Sequence, residues 1–324
     1  MTEYYDNTRV STFKTCPRKF FFRHVKHWVA DGNKAALAFG AAWHSAQEVI
    51  WPAMIKGLPK NEIAKLAFIA FVQEWTDQGF PHPDEIGYEL EKELAPRTPG
   101  TAFEMILDYI DNRIPKVKDL ELISVERPFI VPLDPDDDSV FYVGKIDKVV
   151  RQRGKVRAVE HKTTTLYKKD GGFRSTFIDG FSPNSQVDGY LYALHMLWPG
   201  QVQGVWIDGA LVHRNETAFM FIPVEKQEDQ LHSWLWETRY WIDQIQAHKA
   251  ALEECSPEDP FMAAFPRQTG SCQDYNTNCE YRDICRFKAN PLSITEVPGG
   301  FHEEVWDPLK ETGAFALLGQ EDKK

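Results

Sequence analysis

From about Lys34 to Lys56, "KAALAFGAAWHSAQEVIWPAMIK" is mostly apolar and reads as a helix kinked by Pro52, and over 61–78 and 101–113 apolar residues fall on one face of further, amphipathic helices, so the first third of the chain is helical. After Lys118 the pattern changes. "LELISVERPFIVPL", "SVFYVGKIDKVVRQ" and "KVRAVEHKTTT" are rich in β-branched residues and bounded by turn signals, which predicts three successive strands. A helix from about Asn184 to Leu197 follows, then two strands in "VQGVWIDGALV" and "AFMFIPV". A long helix from about Lys226 to Ala251 carries a stripe of Leu231, Trp234, Leu235, Trp241, Ile242 and Ile245. Near the start, "TRVSTFKTCPRKFFFRHV" reads as a short helix from about Ser11, a break near Cys16 and a second helix opened by Pro17. The tail, with Pro291, Pro298 and Pro308, is expected to be mostly irregular.

With 43% hydrophobic and 26% charged residues and no low-complexity tract, the 324-residue chain has the composition of a folded protein. It opens without the apolar stretch of a signal peptide and has no run of eighteen apolar residues, so the expectation is a cytoplasmic protein with no membrane partner. Five cysteines in a reducing compartment point to metal binding or catalysis rather than a disulfide framework. A net charge of −11 argues against a general nucleic-acid coat protein, but the sign reverses locally. Ten Lys or Arg between Lys145 and Arg174 face three acids, and Arg9, Lys14, Arg18, Lys19, Arg23 and Lys26 face Glu3 and Asp6. "DPDDD" at 134–138 lacks the glycine and terminal glutamate of a calcium loop and reads as a turn between strands. The ten tryptophans read as core residues rather than base-stacking platforms.

The chemistry concentrates in "GKIDKVVRQRGKVRAVEHK". A two-residue reversal at Arg153-Gly154 sets Gln152 against Lys155 and, counting outward, Asp147 against Glu160. Their β-carbons would then lie about 4.5–5.5 Å apart. Glu160 and Lys162 share the face of Asp147, and His161 points the other way. Two carboxylates that close repel unless a cation neutralises them, and hard divalent ions such as Mg²⁺ take oxygen ligands in this manner. A metal here would activate water and stabilise charge on a phosphodiester, with Lys162 orienting the water or neutralising a phosphate oxygen.

Asp147, Glu160 and Lys162 on a hairpin preceded by Gly144 resemble the PD-(D/E)XK nuclease superfamily, and within it the RecB-like branch of CRISPR adaptation nucleases and AddB-type nuclease domains. Ile146 stands where the family name has proline. The resemblance implies a restriction-endonuclease-like α/β core, a mixed sheet flanked by helices. It implies a histidine ligand from a preceding helix, matched by His44 in "FGAAWHSAQEVI", and a Q-x-x-x-Y motif, matched by Gln186 and Tyr190 in "NSQVDGYLYAL". At i and i+4 these two share a helix face. It also implies that His44, Asp147, Glu160 and the main-chain carbonyl of His161 hold Mg²⁺ or Mn²⁺, with Glu126 of "VERPF" near the metal.

"CQDYNTNCEYRDIC" places Cys272, Cys279 and Cys285 within fourteen residues. Fourfold thiolate ligation suits zinc or iron-sulfur, and spacing does not separate them. The resemblance implies a [4Fe-4S] cluster on Cys16, Cys272, Cys279 and Cys285, with a longer gap after Cys272 than the family's usual two residues. Cys255 reads as a free thiol.

The expected organisation is one RecB-like nuclease domain over 1–324. Within it, 1–30 and 265–290 form an iron-sulfur subdomain from both chain ends, 31–118 a helical region, 119–225 the catalytic core and 291–324 a tail. The expected function is metal-dependent DNA cleavage, exonucleolytic on single strands or duplex ends, in recombination, repair, phage DNA processing or CRISPR adaptation. Lys14, Arg18, Lys19, Lys145, Lys168, Lys169 and Arg174 would contact phosphates. Protein partners in such a system and a homo-oligomer are compatible with the resemblance. The alternative is a non-catalytic iron-sulfur scaffold that binds DNA or recruits partners.

Overall fold

The computed structural model describes residues 2–32, 34–134, 139–168, 171–274 and 277–318. Most of the acidic turn (135–138), Lys169, Asp170, two residues of the Cys272–Cys279 gap and the end of the tail lie outside the described residues. In chain order the elements begin with β1 (Glu3–Tyr5), α1 (Asn7–Thr15), α2 (Pro17–Phe20), a π-helical turn (Phe21–Val25) and β2 (Trp28–Ala30). Then come α3 (Ala35–Ile55), α4 (Lys60–Asp77), α5 (Tyr88–Leu94) and α6 (Pro99–Val117). The strands β3 (Glu121–Pro132), β4 (Val140–Gln152) and β5 (Lys155–Thr164) lead to α7 (Ser175–Asp179) and α8 (Ser185–Leu197). Next are β6 (Val202–Leu211), β7 (Ala218–Val224), α9 (Glu228–Glu253), α10 (Arg282–Phe287), β8 (Phe301–Glu303), α11 (Pro308–Glu311) and α12 (Phe315–Leu318).

The chain divides into two compact units: Met1–Gly32 with Pro128–Gly144 and Glu228–Lys324, and Asn33–Arg127 with Lys145–Gln227. The second holds the predicted catalytic segment. Its core packs Phe39, Trp43 and Trp51 of α3 and Phe71 and Trp75 of α4 with Met105 and Tyr109 of α6, against Val150, Val159 and Ala210 of the sheet. Fully buried aromatic side chains of this size supply most of the apolar burial. The helix α6 starts where the Thr98 hydroxyl accepts the Thr101 N–H at 3.2 Å and Pro99 takes the first helical position. It runs past the predicted end at 113 to Val117, through Pro115.

One mixed sheet of six strands runs in the order β1-β4-β5-β6-β7, with β3 pairing β4. β4 and β5 are antiparallel in the predicted register, Gln152 opposite Lys155 through Lys148 opposite Val159. The reversal works because Arg153 and Gly154 both adopt positive φ, 51° and 78°, the geometry of a type I′ turn. β5 and β6 are parallel, with His161 beside Asp208 and Lys162 beside Gly209, and β6 and β7 are antiparallel. The glycine ahead of the acid is required by packing, since a Cβ on Gly144 would stand 2.4 Å from the Phe129 ring.

In the other unit β2 pairs antiparallel with β8, Trp28 opposite Glu303, so the tail is not wholly irregular. Three-residue strands carry too little periodicity to be read from sequence. The first helix begins at Asn7 rather than Ser11, because the Asp6 carboxylate caps it by accepting the Arg9 N–H at 2.8 Å. Five of the ten tryptophans are buried and four half-buried, but Trp236 on α9 is 67% exposed, a departure from the core reading. Among the described residues no helix is long and apolar enough to cross a membrane.

Candidate active site

The hairpin brings both acids to one place. Asp147 and Glu160 are almost wholly buried, and Asp147 Oδ2 accepts the main-chain N–H of His161 at 2.8 Å. His44, on α3, sets its Nδ1 3.2 Å from Asp147 Oδ2, and Lys162 sets its ammonium 2.6 Å from Glu160 Oε1. The helix α8 supplies the remaining pair. Asn184 caps it by accepting the Gln186 and Val187 N–H groups, which fixes the first turn. From that turn the Gln186 amide donates to Glu160 Oε1 at 3.2 Å and to the Tyr190 hydroxyl at 2.9 Å, and its carbonyl accepts from Lys162 at 3.1 Å. Six predicted residues, His44, Asp147, Glu160, Lys162, Gln186 and Tyr190, thus form one connected cluster.

Burial would raise the Asp147 pKa, but the groups around it, His44 foremost and then His161 and Lys148, together outweigh burial and hold the carboxyl well below its usual range. Glu160 goes the other way, raised by burial and then by the charge of Asp147, against the pull of Lys162. Burial disfavours the charged forms of His44 and Lys162, yet their carboxylate partners raise both. The second oxygen of Glu160, Oε2, is buried with no hydrogen-bond partner. An orphaned carboxylate oxygen at this depth is costly unless something neutralises it, and a hard divalent cation fits that need. Among the described residues, however, no three His, Cys, Asp or Glu side chains are already gathered as ligands of one ion. Glu126 is held by Lys145 at 2.5 Å and adopts φ 48°, unusual for a non-glycine strand residue.

Behind the acids lies a group that sequence reasoning missed. Asp208 of β6 is fully buried and accepts from the Arg113 guanidinium and the Tyr109 hydroxyl of α6. Trp51 Nε1 donates to the same Tyr109 hydroxyl at 2.8 Å, and His161 Nδ1 lies 3.3 Å from Asp208 Oδ2. A signal for it exists: Arg113 falls on the apolar stripe of α6, in step with Met105, Ile106, Tyr109 and Ile110. Lys148, next to Asp147, is fully buried with no hydrogen bond to its ammonium, and burial lowers its pKa against the charges of Asp147, Glu126, Asp208 and Glu48. Glu48, one turn beyond His44, is pushed up by burial and by Glu126.

The cysteines lie in the other unit. Cys16, Cys272, Cys279 and Cys285 all line one cavity of about 540 Å³, with Lys19, Arg267, Arg282 and Arg286. All are free of disulfides. Cys16 Sγ accepts the Gln268 N–H at 3.3 Å, and the Cys279 N–H donates to the Cys272 carbonyl at 3.0 Å. Burial raises the Cys279 pKa and pushes Cys285 up to about 11. Cys255 lies apart from this lining, its thiol on the Ala251 carbonyl.

The predicted phosphate contacts fare unevenly. Arg18 is buried, its Nε donating to the Phe265 carbonyl at 2.8 Å, in place of the exposed position expected of it. Lys19 pairs with Glu280 at 3.2 Å, and Lys14 lies 5.8 Å from the Trp241 ring. Lys145 is engaged by Glu126, Lys168 and Arg174 are exposed, and Lys169 lies outside the described residues.

A mixed sheet flanked by helices, carrying an aspartate, a glutamate and a lysine at one point, defines a nuclease-like α/β framework. A family model for the PD-(D/E)XK nuclease superfamily matches residues 7–286, and the chain belongs to that superfamily. Its members are nucleases, enzymes that break phosphodiester bonds, and typically use Mg²⁺ or Mn²⁺. No curated protein matches the chain. Solved structures similar to it include two distant ones. One, from Eubacterium rectale and named as a proposed exonuclease, is 16% identical with a TM-score of 0.46, covering 75% of this chain and 80% of that one. The other, SSO0001, is 15% identical with a TM-score of 0.24, covering 49% and 70%. Both are too distant to bear on function.

Proposed function

We propose that this chain is a RecB-like DNA exonuclease that hydrolyses phosphodiesters at single strands or duplex ends with Mg²⁺ or Mn²⁺. The observation that carries the reading is the contrast within Glu160: Oε1 is shared by Lys162 and Gln186 while Oε2 is buried and unpartnered. In the mechanism His44, Asp147, Glu160 and the main-chain carbonyl of His161 would hold the cation, which supplies Lewis acidity to the phosphoryl group. Lys162 is half-buried beside Glu160, where its ammonium orients the attacking water and neutralises a phosphate oxygen. Gln186 keeps Lys162 and Glu160 together, and Tyr190 orients Gln186. Water oxygen bonds to phosphorus, the bond to the leaving sugar oxygen breaks, and that oxygen takes up a proton.

The test is cleavage of labelled single-stranded and duplex DNA with Mg²⁺, Mn²⁺ or EDTA. Activity is expected with metal only, and is expected to vanish in Asp147→Ala and Lys162→Ala. Equal activity in the wild type and both variants would overturn the mechanism.

A [4Fe-4S] cluster on Cys16, Cys272, Cys279 and Cys285 belongs to the same reading, supported by the cavity that all four line. A cluster joining thiols so far apart in sequence stabilises chiefly by restricting the unfolded chain. Protein purified without oxygen should be brown, and Cys16→Ala and Cys285→Ala should lose the colour and melt lower. Retained visible absorbance in both variants would exclude the assignment.

A further inference from the structure

Directly after the catalytic strand the chain makes a small hairpin that the reaction as described does not use. Tyr167 bridges antiparallel to Phe173. The Lys168 N–H donates to the Gly172 carbonyl at 2.9 Å and the Arg174 N–H to the Leu166 carbonyl at 3.3 Å. Gly171 and Gly172 turn the tip at φ 93° and 78°, where a side chain would be strained.

The root of this hairpin is fixed. Phe173 is buried and stacks on Phe177, ring centroids 5.3 Å apart, and Phe177 packs edge-on against Phe181. Both Phe177 and Phe173 close over Gly209, where a Cβ would stand 3.0 Å from the Phe177 ring. Gly209 is the strand partner of Lys162. The hairpin is therefore clamped to the sheet beside the lysine of the site.

Its outer side is unusual in composition. Leu166 is 43% exposed and Tyr167 40% exposed, and the Tyr167 ring lies 4.6 Å from the His213 ring. Arg174 holds the backbone under that ring by donating Nε to the Tyr167 carbonyl at 3.0 Å. Lys168 and Arg174 are exposed on the same short hairpin, and Glu216 faces the glycine tip. A lone exposed tyrosine is ordinary. An exposed tyrosine paired with a half-buried histidine ring and flanked by two cations, on a rigid support five residues from the catalytic lysine, is the pattern of a stacking platform with phosphate contacts on either side. Five residues span at most about 17 Å, so the platform lies within a few nucleotides of the scissile bond.

We propose that Tyr167, backed by His213, stacks on an unpaired nucleobase of the substrate next to the cleavage site. A base within a duplex already has both faces covered by its neighbours, so a protruding ring gains nothing from it. The platform thereby selects single-stranded DNA, or the frayed end of a duplex, while Lys168 and Arg174 hold its backbone. This rests on the nuclease reading above, and its test separates the two.

In the full-length protein carrying Asp147→Asn, fluorescence anisotropy measures binding of a single-stranded oligonucleotide, the matching duplex, and a single strand whose bases are replaced by abasic sites. Adding Tyr167→Ala should weaken single-strand binding roughly tenfold. Duplex and abasic binding should stay unchanged, and Tyr167→Trp should restore the single-strand affinity. Equal loss on all three DNAs, or no loss on the single strand, would overturn the platform. Cleavage by wild-type protein with Mn²⁺ is measured in parallel: a Tyr167 effect without any cleavage upholds the platform and removes the nuclease reading. Cleavage with no Tyr167 effect does the reverse.

Discussion

The two faces of β5 carry the same kind of interaction put to different use. On one face His44 pairs with Asp147 and Lys162 with Glu160, and in each pair the cation's side chain is 31% exposed. On the other, Arg113 pairs with Asp208, and His161 lies against the same carboxylate, with every side chain wholly buried. A cation exposed to this degree can leave its carboxylate for a phosphate, or yield its place to a metal that neutralises the carboxylate instead. A buried one cannot, because separating the pair strands a charge in a medium of low polarity. The difference teaches that the strand is anchored from behind by charges that never move, so that charges in front are free to do so.

The comparison can be broken from either side. The largest effect belongs to the front: Lys162→Ala should lower the rate of DNA cleavage on the order of 10²–10³-fold, with a loss of stability smaller than that of Asp208→Asn because Glu160, already raised to about 7 by burial and by Asp147, can take up a proton. A loss of stability as large as the loss of rate would show that the front pair is structural after all. From behind, Asp208→Asn should destabilise the fold by about 3–5 kcal/mol in chemical denaturation, since it leaves Arg113 buried and uncompensated. A cost near zero would place the Arg113 guanidinium in contact with water.

Acid sharpens the same contrast. His161 is held down at about 4 by burial and then by the Lys148 charge, below an ordinary imidazole near 6.5. Its folded pKa lies below the unfolded one, so its stabilisation is complete above about pH 6.5 and drains away as pH falls towards 4. For Asp208 burial pushes upward, but Arg113 and His161 outweigh it and hold the carboxyl at about 2. Its contribution is lost between about pH 4 and 2. Stability measured against pH should fall in these two stages, and the lower one should be smaller in Asp208→Asn, with Asp147 and Glu3 supplying what remains. The smallest effect is expected of Tyr109→Phe, about 2 kcal/mol for the two hydrogen bonds its hydroxyl makes, one to Asp208 and one from Trp51.

Much of this site is legible in the order of its residues. The type I′ turn at Arg153-Gly154 fixes the pairing of β4 with β5, and a period of two then sets Glu160 and Lys162 apart from His161. Gln186 and Tyr190 are one turn apart on a helix, so their meeting is local. What stayed hidden depends on distant partners. Asp208 meets Arg113 across 95 residues, and no local pattern announces it beyond a charged residue on an apolar stripe. Arg18 looked like a surface cation on a basic helix, yet its guanidinium turns inward to a carbonyl 247 residues away. Lys148 follows Asp147 on β4 and so faces the other side of the sheet, and nothing in the local pattern marks that side as closed to water.

Asp147 and Glu160 are proposed to hold a divalent cation together. Mn²⁺ titration followed by electron paramagnetic resonance tests it without DNA, in the wild type, Asp147→Asn and Glu160→Gln. Bound Mn²⁺ is expected in the wild type and an affinity at least about tenfold weaker in each variant, with all three proteins equally folded. The same affinity in all three would contradict it.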